Sequence, residues 1–344
     1  MPDLTTDALV PFGWSERVLA LYTSCADGEC TPARVTRVER SGCVAVGPDG
    51  EERLLRAEPL PAVGDWLAVA DGAVRHVLPR WSALQRADPD GSGTQTLAAN
   101  IDLVLVTTPA DRSSAARVER ELALAWDSGA VPLVVVAKSD LDADAAAASL
   151  ESRLPGTDVL AVSAVTGGGV AELQARLAPD RTAVLLGPSG AGKSTLANAL
   201  LGEERLATAA VREGDHRGRH TTTSRQLVAV PGGGVLIDTP GLRSLGLTAG
   251  LDIGAGFPDI ETLARQCRFA DCAHDGEPGC AVEDAITSGE LDPARLESFR
   301  KLTREVAWER RRRDPVAGAA ERQAWKARSR EYRARDRARG KGRQ

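Results

Sequence analysis

The chain has 344 residues, of which 42% are hydrophobic and 26% are charged, and its formal net charge at pH 7 is −5. These proportions are ordinary for a soluble globular protein of two or three domains, and no apolar run approaches the ~18 residues that a transmembrane helix needs. The acidic N-terminal residues lack an apolar signal segment, so we expect a reducing, cytoplasmic setting. The six cysteines are then thiols or metal ligands rather than disulfides.

Charge is distributed unevenly along the chain. Residues 300–344 carry many more Lys and Arg than Asp and Glu, whereas the residues before them are net acidic. An acidic body with a basic tail predicts a polyanionic partner, of which RNA is the commonest in the cytoplasm. The alternative is a solvated helical tail that binds nothing.

The first part of the chain, residues 1–94, predicts a small β domain. Short alternating runs separated by turn signals fit about five strands and a barrel of the OB type, which often binds oligonucleotides. Residues 88–94 are rich in Asp, Gly and Ser and predict a flexible joint. The runs that we assign to strands are residues 33–38, 43–46, 66–69 and 73–77.

Residues 95–249 predict an α/β domain in which strands and helices alternate. Its unbroken apolar runs are typical of buried parallel strands, and the alternation indicates a doubly wound sheet. Helices are predicted at residues 115–128 and 194–201. Strands are predicted at residues 101–106, 133–136, 159–162, 183–186, 226–230 and 235–237. Residues 250–344 lack further strands and predict a zinc-binding α domain, with a helix from Asp292 and an Arg-rich tail.

A phosphate-binding loop is the strongest local motif. It follows an apolar strand, opens a predicted helix and matches the pattern G-x-x-x-x-G-K-S. Backbone N–H groups of such a loop bind phosphate oxygens, Lys193 reaches the β- and γ-phosphates, and Ser194 ligates Mg²⁺. The predicted nucleotide-binding residues here are Gly187, Pro188, Ser189, Gly190, Ala191, Gly192, Lys193, Ser194 and Thr195.

Two further elements predict the magnesium and γ-phosphate contacts. Asp238 ends a predicted strand within Asp-Thr-Pro-Gly, so we expect its carboxylate to hold Mg²⁺ and the Gly241 amide to contact the γ-phosphate. A Gly-Arg-His-Thr-Thr-Thr string lies between this element and the phosphate loop, where a switch loop belongs. Either Thr222 or Thr223 is expected to coordinate Mg²⁺.

The base-reading residues come earlier in the chain. Ala137, Lys138, Ser139 and Asp140 are close to the N-K-x-D element that reads guanine, with Ala137 in place of the usual Asn. A carboxylate at Asp140 accepts from guanine N1–H and N2–H together, a donor pair that adenine lacks. Ser163 and Ala164 follow the next strand and fit the backbone contact to guanine O6.

The order of these motifs predicts a circular permutation. In an ordinary GTPase the phosphate loop comes first, whereas here residues 137–140 precede residues 187–194. Few families have this order, so it narrows the function more than either motif alone.

The predicted catalytic residues are Lys193, Asp238 and His220. Leu242 stands where a water-orienting Gln is expected and cannot orient water, so intrinsic hydrolysis should be slow and a partner should supply the missing group. His220 is a candidate water-positioning residue, and a polar surface residue is the alternative.

A cluster of metal-binding residues follows the nucleotide motifs. Cys267, Cys272, His274 and Cys280 offer three thiolates and one imidazole in fourteen residues. A Cys₃His set suits tetrahedral Zn²⁺ and leaves no open position, so we predict one structural zinc per chain. A redox role is the alternative, and it is disfavoured because no Cys-x-x-Cys is present.

Taken together, these strings resemble the bacterial ribosome small-subunit-dependent GTPase A family (RsgA, also called YjeQ). The permuted order, Gly-Arg-His-Thr-Thr-Thr, Asp-Thr-Pro-Gly-Leu-Arg and the Cys-x₄-Cys-x-His-x₅-Cys finger carry the resemblance over roughly residues 30–300. It implies an OB barrel, a permuted GTPase domain and a zinc domain. It further implies a late assembly factor that binds the small (30S) ribosomal subunit and 16S rRNA and hydrolyses GTP when bound.

We therefore expect a ribosome-stimulated GTPase that acts in small-subunit maturation, cytoplasmic and monomeric, with no membrane partner. One alternative is an RNA-binding scaffold with a vestigial nucleotide site, which Ala137 and Leu242 suggest. Another is an ATPase, which the carboxylate of Asp140 disfavours.

Overall fold

The computed structural model describes residues 6–26, 29–39, 41–55, 60–87, 94–141, 143–177, 179–204, 225–238 and 246–313. Within these ranges, no helix combines the length and the apolar character that crossing a membrane requires.

A small β-barrel follows two short helical segments, the 3-10 helix Asp7–Phe12 and helix α1, Glu16–Cys25. Four of its strands match the predicted runs. The fifth, β3, was not predicted as a run because three consecutive charged residues and then two leucines give it no alternating pattern. The barrel strands are β1 Thr31–Glu39, β2 Gly42–Gly47, β3 Gly50–Leu55, β4 Trp66–Ala70 and β5 Ala73–Val77.

Strand β1 has two partners in the barrel. Its first residues pair with β4 and its later residues pair with β2, and the register shifts between Val35 and Arg37. Such a bulge bends a strand and increases its twist. Because β2 pairs with β3, β4 pairs with β5 and β3 lies against β5, the order around the barrel is β1-β2-β3-β5-β4. The predicted OB-type barrel is confirmed.

An antiparallel hairpin connects the barrel to the next domain. Strands β6, Ala83–Ala87, and β7, Thr94–Ala99, pair with each other, and neither was predicted. The joint expected at residues 88–94 lies outside the described residues except for Thr94, which begins β7.

The second domain is built on a mostly parallel sheet with helices on both faces. Its strand order is β10-β9-β8-β11-β13-β12; every pair is parallel except β13–β12, and the edge strand β12 pairs antiparallel with β1 of the barrel. Helices α2 and α3 cover one face, while α4 and α5 cover the other, which confirms the doubly wound sheet. The strands are β8 Leu103–Pro109, β9 Val131–Ala137, β10 Val159–Val162, β11 Thr182–Leu186, β12 Gln226–Ala229 and β13 Val235–Asp238. The helices are α2 Ala115–Asp127, α3 Ala143–Arg153, α4 Val170–Leu177 and α5 Lys193–Leu201.

Buried polar contacts join the barrel to the central strand of this sheet. The Arg34 guanidinium on β1 donates to Thr182 Oγ1 at 2.7 Å and lies 5.0 Å from the Trp66 ring centroid. The backbone N–H of Thr182 donates to Asp102 at 2.8 Å. Burial lowers the pKa of Arg34 to about 10, so this side chain remains charged at neutral pH. The start of β11 is therefore held by a cation from the barrel.

The C-terminal part consists of helices α6 Pro258–Ala264, α7 Ala281–Ser288 and α8 Pro293–Arg313, with the 3-10 helix Gly254–Gly256 before them. Apolar residues of α6, α7 and α8 share one core cluster with α2. These helices thus cover the outer side of α2 rather than forming a separate core.

Arg295 ties α8 to its neighbours in this core. Its guanidinium is 3% exposed, donates to Asp259 of α6 at 2.8 Å and lies 3.4 Å from Glu119 of α2. The Glu119 carboxylate is fully buried and is also bound by Arg153 of α3 at 3.1 Å. Removing one partner of such a buried network leaves an uncompensated charge.

Replacing Arg295 with Ala should therefore lower the free energy of unfolding by roughly 3 kcal/mol, because Asp259 and Glu119 lose a buried counterion. The matched control is Arg176→Ala, which removes an arginine from an exposed pair with Asp158 and should cost less than about 1 kcal/mol. Urea denaturation measures both values. Equal losses in the two variants would contradict the assigned role of Arg295.

Candidate nucleotide site and metal centre

The loop from residue 187 to residue 192 connects the end of β11 to the start of α5. Gly187 has φ +146°, and a Cβ there would lie 2.2 Å from the Thr107 carbonyl oxygen of β8, so only glycine fits. Gly192 precedes the helix with φ +92°, and no side chain caps the first turn. The backbone N–H groups of that turn are therefore available to an anion, which the helix dipole also favours.

Lys193 folds back over this loop. Its ammonium donates to the carbonyl oxygens of Gly187 at 2.7 Å and Pro188 at 2.6 Å. Ser194 is half-buried beside it in the first turn of α5, and Thr195 is exposed. The lysine is thus placed at the mouth of the loop, where phosphate oxygens can replace its two carbonyl partners.

The predicted base-reading residues meet at the neighbouring strand ends. Strands β9 and β10 pair in parallel with Ala137 opposite Val162, so Lys138 and Ser163 emerge side by side. Ser163 Oγ donates to Asp140 Oδ1 at 2.6 Å, and this bond holds the pKa of Asp140 below its usual range. Lys138 adopts the left-handed φ of +60°, which is uncommon outside glycine and is found at functional sites.

The two loops also lie close together. A Cβ placed on Gly192 would lie 3.6 Å from the Cβ of Ala137 and 4.0 Å from Lys138 Cγ. Strand β11 lies beside β8, which lies beside β9, so the loops share the carboxyl edge of one parallel sheet. Ligands bind at this edge in open α/β sheets. The predicted base-reading and phosphate-binding segments therefore lie side by side at this edge. Ser139 lies in the short helix Ser139–Leu141 and Ala164 follows β10, which places both at the same edge.

The magnesium and switch elements are described only in part. Asp238 is the last residue of β13, which pairs in parallel with β11, so its backbone ends at the edge that carries the phosphate loop. His220, Thr222, Thr223, Gly241 and Leu242 lie outside the described residues, and their predicted roles stay predictions.

Glu121 is a candidate site residue that sequence reasoning missed. It lies on α2 and lines a cavity of about 730 Å³ between α2, α8 and the phosphate loop, together with Pro188 and Ser189. Its Oε2 is buried and has no hydrogen-bond partner among the described residues. Burial raises the pKa of Glu121 to about 7, against the opposing charges of Lys193 and Arg117. No sequence signal marks it, because the cavity forms where α2 meets α8 and the phosphate loop, which are distant in the chain.

The four predicted zinc ligands come together in the C-terminal part. Their ligand atoms lie within 4.8 Å of one another. His274 Nδ1 is 3.6 Å from Cys267 Sγ and 3.4 Å from Cys280 Sγ, and the two sulfurs are 4.0 Å apart. A tetrahedral zinc with bonds of ~2.3 Å to sulfur needs ligand atoms ~3.5–3.8 Å apart, so the set fits.

Acidic side chains brace the loop that carries these ligands. Glu277 accepts from the backbone N–H of Asp275 at 2.6 Å and of Ala273 at 3.1 Å, and these bonds lower its pKa. Glu283 accepts from the Gly276 N–H at 3.0 Å and pairs with Arg300 of α8 at 3.1 Å. The metal loop is thus connected to α8 through side chains.

Comparison with known proteins identifies the family. The model of the RsgA GTPase family matches residues 77–248, which is half of the chain. The chain belongs to the RsgA GTPase family. Among its relatives is a small ribosomal subunit biogenesis GTPase RsgA of Streptomyces coelicolor, 49% identical over 87% of this chain and 86% of that protein. A protein of the same description from Opitutus terrae is 43% identical over 97% of this chain and 99% of its own.

Solved structures agree with this assignment. The crystal structure of YjeQ from Thermotoga maritima matches with a TM-score of 0.62 and 26% identity over 81% of this chain and 99% of that chain. YloQ, a circularly permuted GTPase, matches with a TM-score of 0.59 and 21% identity over 81% of this chain and 96% of its own, which supports the fold.

The raised pKa of Glu121 predicts a pH-dependent stability. The folded protein binds this proton more tightly than the unfolded chain, so stability falls as pH rises from about 4.5 to about 7. Glu121→Gln removes this titrating group. The free energy of unfolding of the variant, relative to that of the wild type, should therefore rise with pH across that interval and stay constant above it. The control is the exposed change Glu172→Gln on α4. Thermal unfolding from pH 4.5 to 8 measures the gap, and a pH-independent gap for Glu121→Gln would refute the buried carboxyl.

Proposed function

We propose that this chain hydrolyses GTP to GDP and phosphate and assists the late maturation of the small ribosomal subunit. The observation that carries the proposal is the close approach of the loop at Lys138 to the phosphate loop at Gly192, in a member of the RsgA GTPase family. Its relatives named as small ribosomal subunit biogenesis GTPases cover nearly the whole chain, which supports the ribosomal partner.

Guanine is selected by Asp140. The carboxylate is held at the site by Ser163 and remains ionised, so it can accept from N1–H and N2–H of guanine. Adenine presents no such donor pair and would leave the carboxylate unpaired. A polar site of this kind can therefore prefer guanine over adenine by roughly 10⁴-fold. The stem of Lys138 covers the base plane.

Hydrolysis is an in-line attack of water on the γ-phosphorus. The bond from that phosphorus to the β–γ bridging oxygen breaks, the electron pair leaves with GDP, and the water proton passes to the released phosphate. Lys193 stabilises the negative charge that builds on the β- and γ-phosphates, in the role of the lysine of P-loop enzymes. The Ser194 hydroxyl and the Asp238 carboxylate are hard oxygen ligands that would hold Mg²⁺, and the bound ion would supply positive charge to the same phosphate oxygens.

Activity in the absence of a partner should be slow. Leu242 carries no group that orients water, and we assign that role to His220 or to a group supplied by the ribosome. Unaided GTPases turn over at only ~10⁻⁴–10⁻³ s⁻¹, and a partner that supplies charge or order raises the rate roughly 10³–10⁵-fold. A cytoplasmic location and contact with 16S rRNA follow from the ribosomal partner.

The chain divides by function into a barrel, residues 1–94, a GTPase domain, residues 95–249, and a zinc-binding helical domain, residues 250–344. Cys267, Cys272, His274 and Cys280 hold one structural Zn²⁺ that fixes the loop next to α8. The scaffold alternative assigns the same surfaces to RNA binding but gives the nucleotide site no turnover.

Turnover assays separate these functions. GTP and ATP hydrolysis should be measured with and without purified 30S subunits over a range of salt concentrations. We expect slow GTP hydrolysis alone, at least 10³-fold faster hydrolysis with 30S subunits, and little ATP hydrolysis. Lys193→Ala should abolish both GTPase rates, because the β- and γ-phosphates lose their lysine. A rate that 30S subunits leave unchanged would favour the scaffold, and equal use of ATP and GTP would overturn the assignment of Asp140.

Metal removal tests the zinc assignment. Elemental analysis should find about one zinc per chain, because four protein ligands make one closed site. The double variant Cys272→Ser/His274→Ala should lose that zinc and expose residues 265–300 to proteolysis. Cys43→Ser is the matched control, since this buried thiol lies in the barrel and should leave the zinc content unchanged. Full zinc retention in the double variant would show that the ligand set is wrong.

A further inference from the structure

Helix α8 has one buried face and one exposed, basic face. Leu296, Leu302 and Val306 are buried against α2 and its neighbours. The opposite face carries five exposed residues: three are spaced by three and four positions along one line of the helix, and the last two lie on either side of that line. This α8 stripe consists of Lys301, Arg304, Trp308, Arg311 and Arg312.

Contacts on the flanks of α8 fix which face is exposed. Arg120 of α2 binds Glu305 at 2.6 Å, and Arg310 Nε donates to the Ala249 carbonyl oxygen at 2.6 Å. With the apolar face buried and both flanks bonded, the helix cannot rotate about its axis. The α8 stripe is therefore a permanent feature of the surface.

Trp308 is the unusual member of the stripe. Aromatic residues make up only 3% of the chain, yet this indole is 51% exposed. The Arg312 guanidinium lies 5.4 Å from its ring centroid and pairs weakly with Glu309 at 3.9 Å. An exposed ring beside a guanidinium offers two flat surfaces on which a nucleic-acid base can stack.

We propose that the α8 stripe binds unpaired RNA, with one base stacked on Trp308 and the backbone phosphates bound by Arg304 and Arg311. The cations lie on both sides of the indole along the helix, which suits a strand that runs parallel to the helix axis. From Lys301 to Arg312 the helix rises about 16 Å, enough for a few nucleotides. The proposal rests on the proposed function for the source of the RNA, which is the ribosomal subunit.

The chemistry of the stripe favours RNA over other partners. A helix that lies on a membrane inserts a broad apolar face, whereas the apolar face of α8 is buried within the protein. A protein interface centres on several apolar anchors with few charges. Here one aromatic residue stands among four cations, which complements a polyanion with planar bases.

The test measures binding of the full-length protein to a fluorescent, unstructured 12-nucleotide RNA and to a duplex RNA with the same number of phosphates. Trp308→Ala should weaken binding of the single strand about tenfold and leave duplex binding unchanged, because only unpaired bases can stack. Trp308→Phe keeps an aromatic ring and should restore most of the affinity. Zinc content and the GTPase rate without ribosomes should be unaffected in both variants.

Salt dependence tests the phosphate contacts. Arg304→Ala/Arg311→Ala removes two phosphate-binding cations, so the slope of log Kd against log salt for the single strand should decrease by about 1.4. The matched control is Arg176→Ala, which removes an arginine of α4 that is not part of the α8 stripe and should leave the slope unchanged. An unchanged slope in the double variant would overturn the assigned phosphate contacts.

Other outcomes identify other partners. Equal affinity of wild type and Trp308→Ala for the single strand, or an equal loss on single strand and duplex, overturns the stacking proposal. Trp308-dependent binding to phosphatidylglycerol vesicles with unchanged RNA affinity would make the stripe a membrane surface instead. If 30S subunits stimulate GTP hydrolysis but the stripe variants bind RNA normally, only this inference fails. If Trp308-dependent RNA binding is found without 30S stimulation, the proposed function fails and the stripe assignment stands.

Discussion

Parallel pairing of β11 between β8 and β13 is the constraint on which the rest of the molecule depends. It places the ends of all three strands at one edge and brings Gly187 so close to Thr107 that no side chain fits between them. Hydrogen bonds between strands depend on spatial position and not on chain order. A chain that supplies β8, β9 and β10 before β11 therefore builds the same edge as one that supplies them afterwards. Permutation changes where the chain begins and ends within the domain. Here the hairpin of β6 and β7 connects the barrel to β8, the first strand of the sheet.

Helix α2 connects the C-terminal helix α8 to the phosphate loop. Its buried Glu119 binds Arg295 of α8, and its Arg120 binds Glu305 of the same helix. The next residue, Glu121, lines the cavity beside the phosphate loop, where its charge interacts with Lys193. The surface of α8 and the nucleotide site thus share one rigid helix. A partner that binds α8 therefore contacts a helix that is bonded directly to α2, and α2 forms one wall of the cavity at the phosphate loop.

Motifs with fixed spacing could be predicted from the sequence, and contacts between distant segments could not. The phosphate loop, the Lys138–Asp140 element and the Cys₃His set each lie within a few residues of chain, so residue type and spacing are enough to identify them. Buried parallel strands were predicted because burial on both faces requires unbroken apolar runs. Strand β3 carries the consecutive charged residues Glu51, Glu52 and Arg53 and has no alternating pattern. The cavity that Glu121 lines forms where α2 meets α8 and the phosphate loop, which are distant in the chain. The spacing of the residues in the α8 stripe is visible in the sequence, but their exposure depends on which face of α8 packs against α2.

The central claim is that Lys138–Asp140 and residues 187–194 form a single guanine-nucleotide site. Calorimetric titration of the wild type and Asp140→Asn with GDP, ADP and xanthosine diphosphate tests it most directly. Xanthine carries a carbonyl where guanine carries its 2-amino group, so an Asn amide can donate where Asp can only accept. The account predicts that the wild type binds GDP well above ADP and xanthosine diphosphate, and that Asp140→Asn reverses the preference between GDP and xanthosine diphosphate. Unchanged base preference in the variant, or equal affinity of the wild type for GDP and ADP, would contradict it.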